Sequence, residues 1–222
     1  ENLLSKFPKK LDTIFFVCTG SEANDLAYRI AQVYTKSKDV LVMDNAYHGH
    51  TNSLIDLSPY KFKNIGGGGQ KEYVHIAEMP DGIRGKWTYS DNKFTEKYIN
   101  QVKLLIDNIQ NKKNKNLSCF FVESILGCGG QVLLPKNYLK EIFKLVRKNK
   151  ALCIVDEVQT GFGRVGNYFW AFEEHKVVPD IVTLGKPMGN GHPIGAVITT
   201  KEIANAFNNG MEYFNSFGGN PV

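Results

Sequence analysis

Two hydrophobic periods take turns along this chain, and their alternation leaves few folds open. Short apolar or β-branched runs occupy residues 13–19 (TIFFVCT), 39–44 (DVLVMD), 72–79 (EYVHIAEM), 117–125 (LSCFFVESI), 151–156 (ALCIVD), 181–184 (IVTL) and 194–200 (IGAVITT). Between them lie stretches with helical spacing. In residues 22–36, Leu26, Ile30, Val33 and Tyr34 fall near one face, with acids in the first turn; in 94–110, Tyr98, Val102, Leu105, Ile106 and Ile109 do the same. Residues 137–148 and 201–208 read as further helices. Strands alternating with helices predict an α/β fold: a parallel or mixed sheet covered by helices on both faces. No internal repeat is visible, and the glycine run 66–69 precedes a strand, so it reads as a loop rather than a phosphate cradle.

Ligands of such a sheet gather beyond the carboxyl ends of the strands, and two strand ends carry unusual chemistry. The run 181–184 delivers Lys186 between Gly185 and Pro187. A lysine fixed by small, stiff neighbours is placed to act as an amine that forms a Schiff base with a carbonyl, although a lysine after a strand is more often a solvated loop residue. Thirty residues earlier Asp156 ends another strand. Pyridoxal phosphate needs both groups, since its ring nitrogen draws electrons well only when an acid keeps it protonated. The competing reading of the Asp156-Glu157 pair is a helix cap or a surface carboxylate. Thr19-Gly20-Ser21 joins the first strand to the first long helix, where free N–H groups and a partial positive charge of roughly +0.5 suit a phosphate. Helix capping by Thr19 or Ser21 is compatible with that role. Tyr47, at the end of the second strand, offers a flat ring for stacking or a loop aromatic for packing. Glu123 ends a fourth strand, either reaching the same site or lying exposed in its loop.

Composition excludes some alternatives. The longest apolar runs are far short of the 18 residues a membrane span needs. The net charge of +5 is modest, and its densest cluster (Lys112, Lys113, Lys115) has no interleaved aromatics, so no nucleic-acid partner is expected. His48, His50 and His192 lie near the proposed site loops without metal-ligand spacing, and no metal is expected. Cys18, Cys119, Cys128 and Cys153 contain no CxxC pair and read as reduced thiols of an intracellular protein, in cytoplasm or mitochondrial matrix; Cys128, between glycines, is the one candidate for reactivity. The chain begins at Glu1 and ends at Val222 in an apparent loop, as a piece of a longer protein would.

The stretches GSEAND, AYHGHT, DEVQTGFGRVG, PDIVTLGKPMGNGHP and NSFGGNPV together resemble the class III aminotransferase family. LSPYKF, RGK, ESILGCGGQ and GKPMGNGHP resemble its ethanolamine-phosphate phospho-lyase and alanine–glyoxylate aminotransferase 2-like branch. The resemblance implies a fold type I (aspartate-aminotransferase-like) large domain over residues 1–222, mostly parallel in its sheet, with the family's N-terminal segment and small domain lying outside it. It implies pyridoxal 5′-phosphate held by Lys186, with Asp156 on the ring nitrogen, Gln159 on the ring oxygen, Tyr47 and Val158 on the two ring faces, and Gly20 and Ser21 on the phosphate. Ser216, where many relatives have threonine, would reach the phosphate of a partner subunit, implying a homodimer with shared sites and a small-molecule amine substrate. Glu123 matches a substrate-side glutamate, but the family continues with proline where this chain has Ser124. Three readings follow: a phospho-lyase acting on a phosphorylated amino alcohol, a transaminase, or an inactive cofactor-binding remnant. Lys61, Lys63, Arg84 and Lys86 are the cations that could receive a departing phosphate.

Overall fold

The computed structural model describes residues 2–112 and 116–218, so Lys113 and Lys115 of the basic loop, and the last residues of NSFGGNPV, lie outside the described residues. A seven-stranded sheet forms the centre. Its strands are β1 (Thr13–Val17), β2 (Asp39–Met43), β3 (Val74–Ala77), β4 (Leu117–Glu123), β7 (Leu152–Asp156), β8 (Ile181–Leu184) and β9 (Gly195–Thr199). Their order across the sheet is β1-β9-β8-β7-β4-β2-β3, and β9 alone runs against the rest. The expected α/β architecture, mostly parallel, is therefore the observed one. A two-stranded hairpin, β5 (Ile125–Leu126) with β6 (Val132–Leu133), stands beside it. The expected single strand over 117–125 is thus two strands broken at Ser124.

Both faces of the sheet are buried, because successive strand residues point to opposite sides. On one side Val40, Val42, Cys119, Phe121, Ile154 and Val197 pack with α1 (Gly20–Thr35) and α6 (Lys201–Phe207). On the other, Leu41, Met43, Phe120, Val122, Cys153 and Val155 pack with α4 (Phe94–Gln110) and α5 (Tyr138–Lys148). Two short helices after β2, α2 (Asn52–Asp56) and α3 (Pro59–Phe62), and 3-10 turns at Leu4–Lys6, Ala171–His175 and Lys186–Gly189 complete the chain. No helix among the described residues is long and apolar enough to cross a membrane.

In the parallel half, Glu123 of β4, Asp156 of β7 and Thr183 of β8 are aligned across three neighbouring strands. That register brings the polar strand ends into one row at the carboxyl edge.

Candidate active site

The row of strand ends opens into a cavity of about 260 Å³, lined by Thr19, Gly20 and Ser21, by Asn24, Tyr47, His48 and Gly49, by Glu123, and by Asp156, Val158, Gln159, Thr160 and Lys186. Eight of the nine residues singled out in the sequence thus surround one space. Ser216 does not; it is exposed, in a turn following Asn215.

Each wall has a local cause. At the start of α1, Thr19 caps the helix by accepting the Glu22 N–H at 3.0 Å. The N–H groups of Gly20 and Ser21 then belong to the first turn, which has no partners within the helix. Glycine at position 20 has a packing reason: a Cβ there would stand 2.8 Å from Val158 Cγ1. A Cβ on Gly185 would in turn meet the Gly20 backbone at 3.0–3.1 Å. The two glycines let the end of β8, and with it Lys186, lie against the start of α1. Lys186 itself has φ +39°, in the left-handed region that a lysine rarely adopts. Such backbone costs on the order of 1–3 kcal/mol and persists only where its surroundings impose it.

Asp156 is buried and held on both oxygens. The Val158 N–H donates to Oδ1 at 3.0 Å; Asn24 Nδ2 donates to Oδ2 at 2.7 Å, and His48 Nδ1 lies 3.0 Å from the same oxygen. Asn24 also donates to the His48 carbonyl, and the His48 ring stacks on Phe121 with centroids 4.3 Å apart. Asn24 Oδ1 and His48 Nε2 are buried without a hydrogen-bond partner in the protein. Neither residue received a role in the sequence reading. Asn24 sits one helical turn after Gly20, on the face of α1 turned to the same strand ends, and that spacing was the available signal.

Glu123 is also buried, lines the cavity, and accepts one backbone N–H on each oxygen. The Tyr47 N–H lies 3.3 Å from Oε1 and the Gly127 N–H 3.0 Å from Oε2. Burial pushes the Glu123 carboxyl up to about 7, with the Asp156 charge adding to the rise and His48 and the two amides opposing it. Ser124 likewise has a structural partner: its hydroxyl donates to the buried Glu157 at 2.7 Å. A second, wider cavity of about 910 Å³ adjoins the first, sharing Val158, Gln159, Thr160 and Lys186 and extending along the hairpin to Gln131 and Leu133.

Three of the four cations expected near a leaving group are engaged with carboxylates: Lys63 with Asp44 (2.7 Å), Arg84 with Asp81 (3.0 Å) and Lys86 with Glu78 (3.5 Å).

A strand-end lysine, an aspartate buried in the neighbouring strand and a helix N-terminus thus surround one cavity. The Aminotransferase class-III family matches residues 1–222, the whole chain. The chain belongs to the class III aminotransferase family. It is 49% identical over 226 residues to an alanine–glyoxylate aminotransferase 2-like protein of Drosophila melanogaster, and 46% identical over 233 residues to ethanolamine-phosphate phospho-lyase homolog 1 of Caenorhabditis elegans. All of this chain is covered in both, against 46% and 50% of those proteins. An Arthrobacter phospholyase solved in complex with phosphoethanolamine superimposes with a TM-score of 0.87 at 38% identity, over 97% of this chain and 50% of that one. The chain spans about half the length of the relatives it matches.

Proposed function

We propose that this chain forms the cofactor-binding half of a pyridoxal-phosphate-dependent phospho-lyase, which eliminates phosphate from a phosphorylated amino alcohol such as phosphoethanolamine. The observation that carries the cofactor reading is the placement of Lys186 and Asp156 at the ends of adjacent strands around one cavity, beside the N-terminus of α1. The donor set fits the group: a primary amine, a buried carboxylate with three donors behind it, and a helix end for the phosphate. Bound pyridoxal phosphate supplies a carbonyl and a ring that withdraws electrons from the carbon next to the substrate nitrogen.

The residues of the chain do the rest. Gly20 and Ser21 N–H groups would hold the cofactor's phosphate, Tyr47 and Val158 would confine its ring, and Gln159 would donate to its ring oxygen. Asp156 would supply the negative charge that keeps its nitrogen protonated. At an effective dielectric of about 20, a carboxylate ~4 Å from a cation gains about 4 kcal/mol, which holds a proton over roughly three pH units. The Lys186 amine would hold the cofactor and, once the substrate amine has displaced it, would take the proton from the substrate Cα. In elimination, the Cα–H electron pair forms a Cα–Cβ double bond while the Cβ–O bond breaks, its pair leaving on phosphate. Water then replaces the amine, giving an aldehyde and ammonia. The similarity to the Caenorhabditis and Arthrobacter phospho-lyases favours this outcome. The similarity to alanine–glyoxylate aminotransferase 2 supports a second reading, transamination, in which the proton returns to the cofactor and a keto acid accepts the nitrogen.

The exposure of Ser216 is what a residue contributing to a second subunit's site requires, and we place it in the phosphate site of a homodimer. Phosphoethanolamine given without a keto acid decides between the reactions. A lyase releases acetaldehyde, ammonia and phosphate over many turnovers. A transaminase stops after one equivalent and resumes only with a keto acid. Borohydride reduction of the loaded protein should place the label on Lys186; label on another lysine overturns the site.

A further inference from the structure

We infer that Lys61 is the subsite for the substrate's phosphate group, so that this chain selects a primary amine carrying a phosphate monoester; the inference rests on the lyase reading above. With Lys63, Arg84 and Lys86 each neutralised by an aspartate or glutamate, Lys61 is the cation of that group with no carboxylate at ion-pair distance among the described residues. Its ammonium lies instead over two aromatic rings, 5.5 Å from the centroid of Tyr47 and 5.7 Å from that of Tyr60. The rings meet edge to face at 6.2 Å, and Tyr47 is itself a wall of the cavity. An aromatic face attracts and orients an ammonium without cancelling its charge. The lysine therefore keeps its full positive charge for an anion.

The backbone that carries Lys61 is fastened to the site loop. The Tyr60 N–H donates to the Ala46 carbonyl at 3.2 Å, and the His48 N–H donates to Ser58 Oγ at 3.0 Å. Ser58 Oγ donates onward to the Leu54 carbonyl, and the Lys61 N–H closes the α3 turn on the Ser58 carbonyl at 2.7 Å. Pro59 starts that turn with its φ preset. Lys61 thus shares one rigid unit with Tyr47 and His48. Lys61 is exposed and lines neither cavity; its link to the site is Tyr47, the ring it covers and a wall of the first cavity. Burial raises the Cys128 thiol, and Lys186 and Lys61 both oppose that rise.

The chemistry matches. A phosphate monoester is largely dianionic at neutral pH, and its Cβ–O bond breaks with the electron pair leaving on phosphate. Lys61 accepts no proton or electron in that step; its charge faces the departing anion. Free phosphate shares this chemistry, so it serves as a probe that needs no turnover.

Inorganic phosphate is titrated calorimetrically into the complete, pyridoxal-phosphate-loaded protein, whose α1 phosphate site is then already filled. Phosphoethanolamine turnover is measured in parallel. Lys61→Met is expected to weaken phosphate binding roughly 10- to 100-fold, the loss of one hydrogen bond to a charged donor. Lys61→Arg should restore it to within roughly fivefold, since the charge is kept and the shape changes, and Lys63→Met should change it less than about twofold because Asp44 already holds that lysine. Equal phosphate affinity in wild type and Lys61→Met, or no phosphate binding by the wild type, overturns the assignment. Lys61-dependent phosphate binding without phosphate release from phosphoethanolamine leaves the assignment standing and overturns the lyase reading instead.

Discussion

Asp156 and Glu157 are neighbours, both buried and both rich in hydrogen bonds, and they sit in opposite circumstances. Asp156 lies on the cavity floor; its donors are Asn24, His48 and the Val158 N–H, and two further polar atoms of that group are unpartnered. Glu157 borders neither cavity. It accepts from Ser124 and Thr160 hydroxyls and from the Ala171 and Phe172 N–H groups, so all its capacity goes to fixing the end of β4 and the 171–175 turn. Burial raises the Glu157 carboxyl, and those four donors hold it back. What separates a candidate catalytic carboxylate from a structural one is whether its shell of donors is closed, not how buried it is.

Replacing Asp156 by Asn is the strongest test. The fold should survive it at some cost, because His48 can change tautomer to accept from the new amide and Asn24 keeps its bond to the His48 carbonyl while losing the one to position 156. The negative charge behind the ring nitrogen is lost, so turnover should fall by about 10³, the equivalent of ~4 kcal/mol. Unchanged turnover in Asp156→Asn would remove the contrast with its neighbour. Glu157→Gln should do the reverse. An amide in place of one oxygen leaves a buried N–H facing a donor, which should lower the unfolding free energy by about 3 kcal/mol. Turnover of the remaining folded, cofactor-saturated enzyme should stay within about threefold. Denaturant titration and steady-state rates measured together separate the two cases.

Much of this was legible because strand ends, glycines and a lysine between small residues leave local marks. Lys186, Asp156, Gly20, Ser21 and Tyr47 could each be placed at the carboxyl edge from pattern alone. Which of two adjacent carboxylates faces the cavity could not, since a period of two fixes only that they point apart. The two-residue strands β5 and β6 and the short helices α2 and α3 carry no measurable periodicity, so the fastening of Lys61 and the amides that engage Glu123 were invisible. The reversed direction of β9 depends on how the chain turns after Lys186. The tightest neighbour of a Cβ at Gly20 would be the Val158 side chain, a contact set by tertiary packing that no local pattern marks.

Glu123 sharpens the comparison, because it lines the cavity like Asp156 yet carries only two donors, one backbone N–H on each oxygen. Its carboxyl, raised to about 7, holds a proton in the folded protein over a range where the unfolded chain, at about 4.3, has lost it. Its stabilising contribution is therefore complete below about pH 4.3 and lost as pH rises through about 7. Glu123→Gln, which cannot ionise, should gain stability relative to wild type across that window, by ~2–3 kcal/mol in the cofactor-free protein. Melting curves at closely spaced pH values check this. A difference between the two proteins that does not change with pH would assign Glu123 to the closed-shell class.

The smallest expected effect tests the closed shell one donor at a time. Ser124 stands where the family continues with proline, and its hydroxyl is one of four groups facing Glu157. Ser124→Ala removes that donor and leaves the carboxylate with three, so stability should fall by about 1–2 kcal/mol, the value of one hydrogen bond to an ionised acceptor. If the bond is the cause, the loss must shrink when Glu157 is already Gln, and a double-mutant cycle over the two sites should give a coupling of ~1 kcal/mol. Additive losses would mean that Ser124 acts through the turn between β4 and β5 instead. In either case turnover should hardly change, because Ser124 borders neither cavity. A Ser124→Ala variant that turned over slowly while melting normally would join Glu157 functionally to Asp156 and dissolve the distinction between the two carboxylates.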